Sequence, residues 1–216
     1  FLETFSHNFK GSDIKKLDLG DENILKSIPK SDIIIAGPPC QGFSLTGPRN
    51  IDDPRNKLYL SVFKTLKLTN PKAFVVENVR GLKTMWNGQV YKEILKKFES
   101  AGYLVSESLL NSADYGVPQI RHRVFIVGIK KELDKKFEFP KPEFDKDNYI
   151  SCGEAIDNLP SLENGELKTN DYNEKPTTNY QRYVMDSNKL YNHEATLHKQ
   201  FVKDTIALVP EGGNYK

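Results

Sequence analysis

The chain has 216 residues, 38% hydrophobic and 28% charged, with a formal net charge of +2. That composition belongs to a globular protein large enough for a substantial core, and it excludes a disordered chain. So small a net charge neither requires nor excludes a nucleic acid partner, and Cys40 and Cys152, the only cysteines, are too few for a disulfide framework or a four-cysteine zinc site.

A reducing, cytoplasmic setting is the default for such cysteine usage. Apolar runs such as Ile33–Ala36 are far too short to span a membrane. The sequence opens on Phe1 without a secretory pattern and closes on Gly212-Gly213-Asn214-Tyr215-Lys216, which raises the expectation that it is part of a longer polypeptide.

Taken in chain order, Ile33-Ile34-Ile35-Ala36, closed by Gly37-Pro38-Pro39, reads as a buried strand entering a turn. Asp53-Pro54 reads as a helix start. Leu58, Val62 and Leu66, four apart with Tyr59 and Phe63 alongside, continue that helix to Asn70-Pro71. Ala73–Val76 reads as a second buried strand. Tyr91, Ile94, Leu95 and Phe98 fall on one helical face, and Gly102 ends that helix. Two further strands are expected near Tyr103–Leu110 and Val124–Val127.

Alternating strands and helices predict an α/β fold with a mostly parallel sheet. The connection from Asn111 to Arg121 is too short for a crossover helix and contains Gly116 and Pro118, so the last strand is expected to be antiparallel. Residues 1–150 form the expected first domain. Residues 151–216, rich in Asn, Tyr, Lys and Pro, are read as its end and the start of a loop-rich second one. There only Thr196–Leu208 suggests a helix, with Leu197, Phe201 and Leu208 on one side.

Ligands of open parallel sheets bind at the carboxyl ends of the strands. Gly37-Pro38-Pro39-Cys40 follows the first strand at that edge, and Glu77-Asn78 follows the second. An antiparallel last strand begins at the same edge, bringing Arg121 and Arg123, which are i and i+2 and so share a face. Each has a bland reading: Cys40 as a small buried side chain, Glu77 as a solvated strand end, Arg121-His122-Arg123 as a surface charge run. Their meeting at one edge favours function. His193 and His198 lie five apart rather than the four of a zinc-protease helix, so no metal site is assigned.

These same residues carry a family resemblance. Ala36-Gly37-Pro38-Pro39-Cys40-Gln41-Gly42-Phe43-Ser44 resembles the Pro-Cys motif of the DNA (cytosine-5)-methyltransferases. Glu77-Asn78-Val79 resembles their Glu-Asn-Val motif, and Gln119-Ile120-Arg121-His122-Arg123 their Gln-x-Arg-x-Arg motif. Asn111–Pro118 resembles the stretch before the arginines. The resemblance implies a Rossmann-like S-adenosylmethionine-dependent fold, with the start of a target-recognition region after it. It implies Cys40 as nucleophile, Glu77 as the carboxyl at cytosine N3, Arg123 as the guanidinium at the base's carbonyl, and Arg121 as its neighbour. It further implies cofactor contacts at Asp13, Ile14, Pro39 and Leu58, with Asp13 equally readable as a helix cap, and DNA contacts at Gln41, Ser44 and Gln119.

The implied partners are S-adenosylmethionine and double-stranded DNA, with a restriction endonuclease as functional companion in a bacterial cell. The Gly-rich first motif, the acidic ribose-binding residue and the closing motif of the family have no counterpart in this sequence. A complementary chain or flanking segments are therefore also expected partners. Two other readings stand beside this one: the tRNA-methylating branch of the same family, and a domain that binds DNA or a partner chain without turnover.

Overall fold

A computed structural model describes residues 2–39, 58–162, 171–172, 174–185, 189–210 and 213. It divides into two compact units, one comprising Phe1–Tyr115 and Ile120–Glu143, the other Gly116–Gln119 and Phe144–Lys216.

In the first unit, β1 (Ile33–Ala36), β2 (Ala73–Val79), β3 (Tyr103–Asn111) and β4 (His122–Lys130) form one sheet in the order β1-β2-β4-β3. β1 and β2 are parallel, and β4 is antiparallel to both β2 and β3. The first three strands therefore run one way, and the reversed β4 fills the gap between β2 and β3. The α/β class and the antiparallel last strand are as the sequence predicts.

The unit's helices are α1 (Leu2–Asn8), α2 (Glu22–Ser27), α3 (Tyr59–Thr69), the single turn α4 (Gly81–Thr84) and α5 (Gln89–Ser100). α3 ends where Asn70 takes a left-handed φ of 52°, one residue before Pro71, which cannot continue a helix. After α5, Gly102 turns the chain at φ 92°, a conformation that costs glycine nothing. The expected helix start at Asp53-Pro54 lies outside the described residues.

Alternation along β2 sends Phe74, Val76 and Asn78 to one face, where they are buried. There Phe74, Val76, Tyr103, Val124 and Ile126 pack against Val62 and Leu66 of α3 and Ile94 and Phe98 of α5. The Phe74 ring lies 4.7 Å from that of Phe98 and 5.0 Å, edge-on, from that of Tyr103. The buried Tyr103 hydroxyl donates to the Pro71 carbonyl at 2.8 Å, so its polar tip is satisfied.

Three details differ from the sequence reading. β2 does not stop at Val76 but runs to Val79, because β4 pairs with it as far as Val79↔Arg123. Glu77 and Asn78 thus lie inside the strand. β1 is buried on one face only: Ile34 and Ala36 pack on the core, while Ile33 and Ile35, on the other face, are 60% and 78% exposed.

The third difference lies in the second unit. It holds α6 (Cys152–Ile156), α7 (Asn179–Val184) and α8 (Gln200–Ala207). Only the last overlaps an expected helix, and Leu197, Phe201 and Leu208, read as one apolar side, are exposed. α6 and α7 each open with a capping box, Ser151 with Glu154 and Thr178 with Gln181, a local signal strong enough to start a short helix.

Candidate active site

The far end of β2 and the start of β4 build the site. Register sets Glu77 opposite Phe125 and Val79 opposite Arg123, so Glu77 and Arg123 are diagonal neighbours on one face, opposite the helices. Arg123 Nε donates to Glu77 Oε1 at 2.9 Å, with the two side chains 20% and 39% exposed. A half-exposed pair of this kind contributes at most about 1 kcal/mol to stability. Its larger consequence is positional, because it holds the carboxylate at the strand end. The other oxygen, Oε2, faces the turn after β1, lying 3.8 Å from where a Cβ on Gly37 would stand.

Asn78 works on the opposite face. Its buried carboxamide donates through Nδ2 to the Pro38 carbonyl at 3.2 Å and accepts from the Val79 N–H at 2.8 Å. The Gly37-Pro38-Pro39 turn is thereby tied to β2 on one side while passing beside Glu77 on the other. Cys40, the next residue, lies outside the described residues, as do Gln41 and Ser44.

Arg121 stands one residue ahead of β4 and is exposed. The two arginines are therefore not equivalent: the pairing with Glu77 runs through Arg123. The backbone of Arg121 is held at both ends. Its N–H donates to Asn111 Oδ1 at 3.1 Å, and its carbonyl accepts from the Ser112 N–H at 3.0 Å and the Ser112 hydroxyl at 3.2 Å. Asn78, Asn111 and Ser112 sit within or beside the motifs quoted above, but their contacts depend on strand pairing that spacing alone does not disclose. Gln119 is exposed, in the second unit.

Between the strand ends and α3, the residues Pro38, Pro39, Tyr59, Val62, Val76 and Asn78 help line a small, mainly apolar recess. Leu58 occupies the position that starts α3. Asp13 and Ile14 are not among the lining residues. Asp13 pairs with Lys15 at 2.7 Å, both side chains well exposed. It caps no helix, since the next one, α2, is capped by Asp21. Ile14 helps form a shallow groove beside α1.

Among the described residues no three His, Cys, Asp or Glu side chains are grouped to hold an ion. His193 Nε2 lies 2.7 Å from the Pro160 carbonyl. Cys152 is exposed. No described helix is long and apolar enough to cross a membrane.

Comparison with known proteins places the chain in a family. Residues 1–211 match the family model for C-5 cytosine-specific DNA methylases. The Type II methyltransferase M.DdeI of Desulfomicrobium norvegicum is 41% identical over 211 residues, covering 94% of this chain and 50% of that protein. M1.HphI of Haemophilus parahaemolyticus is 35% identical over 222 residues, covering 99% and 53%. The chain thus spans about half the length of the curated relatives it matches. A crystal structure described as a DNA modification methyltransferase encoded within a prophage (E. coli) superposes with a TM-score of 0.73 at 23% identity, over all of this chain and 68% of that one. At that identity the likeness speaks for the fold, the Rossmann-like arrangement expected from the sequence.

Proposed function

The chain belongs to the C-5 cytosine-specific DNA methylase family, and from that premise we propose that it supplies the catalytic portion of an enzyme that methylates carbon 5 of cytosine in double-stranded DNA, with S-adenosylmethionine as methyl donor. The observation that carries the proposal is the Arg123–Glu77 pair, 2.9 Å apart at the end of β2, beside the turn that leads into Cys40.

Carbon 5 of cytosine is a weak nucleophile, so the ring must be activated. The Cys40 thiolate adds to carbon 6, forming a carbon–sulfur bond and pushing the electrons of the 5,6 double bond into the ring. Glu77, as the acid, places a proton on N3, where that charge accumulates. Arg123 donates from Nε to Glu77 and from Nη1 to the His122 carbonyl at 2.8 Å, and its further N–H donors orient the base's carbonyl oxygen, with Arg121 as neighbour. Carbon 5, now enamine-like, takes the methyl group as the methyl's bond to the donor's sulfur breaks, the electron pair staying on that sulfur as a neutral thioether. A base then removes the proton of carbon 5, the electrons of that C–H bond restore the 5,6 double bond and expel the Cys40 thiolate, and N3 returns its proton to Glu77, leaving 5-methylcytosine. A free thiol titrates at about 8.5, so Cys40 needs help to ionise or must lose its proton as it attacks. The base has to leave the duplex to reach these groups.

S-adenosylmethionine supplies, when bound, a methyl group on a positively charged sulfur. The apolar lining around Pro39 suits its uncharged portions, and Pro39 and Leu58 are the residues proposed to hold it on this side. Asp13 and Ile14 are proposed contacts to the adenine. Gln41, Ser44 and Gln119 are proposed DNA contacts. The Type II designation of the relatives supports a role as the modification partner of a restriction endonuclease in the bacterial cytoplasm, acting on nucleoid DNA.

The test is Cys40→Ala in the gene product that carries this chain, read by methyl incorporation into duplex DNA and by gel shift, with a tRNA substrate as a parallel arm. Methyl transfer should vanish while DNA binding survives, because phosphate contacts dominate affinity. Cys152→Ala should be nearly silent. Turnover in the Cys40 variant, or methylation of tRNA alone, would contradict the proposal.

A further inference from the structure

The stretch from Asn111 to Pro118 has no part in the mechanism above, yet one of its side chains is joined to the site. Asn111 is the last residue of β3 and stands opposite His122, the first of β4. It is buried, 8% exposed. Its Oδ1 accepts from the Arg121 N–H at 3.1 Å, and its Nδ2 donates to Asp114 Oδ1 at 2.9 Å. On the far side of the same residue, Ser112 holds the Arg121 carbonyl through both its N–H and its hydroxyl.

The peptide of Arg121 is therefore gripped from both directions where the chain enters β4. Two residues later the strand delivers Arg123, whose Nε meets Glu77 at 2.9 Å. A regular ladder fixes a strand start with backbone groups alone; here a side chain provides the bond to the Arg121 N–H. Truncating Asn111 removes the side-chain acceptor of that N–H and one donor to the Asp114 carboxylate, and loosens the segment that carries both arginines.

Resting on the methylase reading above, we infer that Asn111 is a positioning residue: by clamping the Arg121 peptide it sets where Arg121 and Arg123 stand relative to Glu77. Displacement of a reacting group by an ångström can cost about 100-fold in rate, so the effect belongs in turnover more than in DNA affinity.

The experiment compares Asn111→Ala with the exchanged pair Asn111→Asp/Asp114→Asn in the gene product that carries this chain. In the exchanged pair an oxygen at 111 again accepts from the Arg121 N–H and an amide at 114 donates to it. Leu25→Ala, in α2, is the control for general destabilisation. Two readouts are taken: kcat and KM on duplex DNA, and hydrogen exchange of the Arg123 Nε proton in 15N-arginine-labelled protein. Asn111→Ala should lower kcat by about 10–100-fold with KM within about threefold, and should speed the Nε exchange. The exchanged pair should recover both, and Leu25→Ala should change neither. Wild-type kcat and exchange in Asn111→Ala, changes no larger than those of Leu25→Ala, or an exchanged pair that recovers nothing would each overturn the role. Should Asn111→Ala not fold, the exchanged pair must show a higher kcat and a slower Nε exchange than Asn111→Asp alone. An inactive wild-type protein would sink the methylase reading, while the exchange measurement would still decide the clamp.

Discussion

Glu77 gives one carboxylate oxygen to Arg123 and holds the other beside the turn after β1, the placement that the proposed proton delivery to N3 calls for. Glu77→Gln keeps the shape but cannot deliver a proton to N3. Loss of general-acid catalysis should slow methylation by about 10²–10⁴-fold. Because the pair is half exposed, the melting temperature should move by no more than about 2–4 °C. Single-turnover methylation and a thermal melt check both halves, and a near-normal rate would refute the role. Arg123→Lys should also slow turnover, since an ammonium cannot copy the planar fork of a guanidinium; kcat on duplex DNA measures it. Glu77 was legible in the sequence because a carboxylate at the end of an apolar run falls on the ligand-binding edge. Spacing alone did not separate Arg121 from Arg123, although the family resemblance already set Arg123 at the base and Arg121 beside it. The i, i+2 argument holds only when both residues are in the strand, and β4 begins at His122.

The contact of β4 with β2 is the packing that brings the site together, and Gly128 makes it possible. Gly128 lies opposite Phe74, and a Cβ there would fall on the Phe74 ring, which is fully buried. Gly128→Ala should therefore cost about 1–3 kcal/mol by overpacking, measured by denaturant titration. On the neighbouring pair, the Glu107 carboxylate of β3 accepts from the Tyr91 hydroxyl and from Lys83 Nζ, each at 2.7 Å. Burial pushes this carboxyl up, but the bonds from Lys83 and Tyr91 together outweigh it and leave it below its ordinary value. A carboxyl lowered on folding stabilises above its unfolded titration point, and that stability is lost as pH falls through the folded one. Wild type should thus lose more stability between about pH 5 and pH 3 than Glu107→Gln does, as read from melts across that range. Elements closed by local punctuation were legible, as at Asn70-Pro71 and Gly102. The last residues of β2 and the full span of β4 were not, because strand length depends on the partner. The capping boxes of α6 and α7 could have been read directly.

At the scale of the molecule, β1 is an edge strand among the described residues, with Ile33 and Ile35 exposed on its outer face, and the chain spans about half the length of its curated relatives. A strand edge beside an exposed apolar face invites association. The 216 residues produced alone should therefore aggregate or recruit a partner chain and should not methylate DNA. Co-expression with the polypeptide encoded on either side should restore solubility first and methylation second, checked by light scattering and methyl incorporation. Efficient methylation by the chain alone would contradict this. The central claim, that Cys40 attacks carbon 6 of a cytosine held by Glu77 and Arg123, has one most direct measurement. Duplex DNA carrying 5-fluorocytosine at the target position is incubated with the gene product and S-adenosylmethionine, and the protein is digested and sequenced by mass spectrometry. Fluorine cannot leave carbon 5 as a proton does, so the reaction should stop as a covalent adduct on the peptide containing Cys40, and Cys40→Ala should give none. Methylation of ordinary duplex DNA by the same preparation with no adduct on the fluorinated one, or an adduct on Cys152, would contradict it.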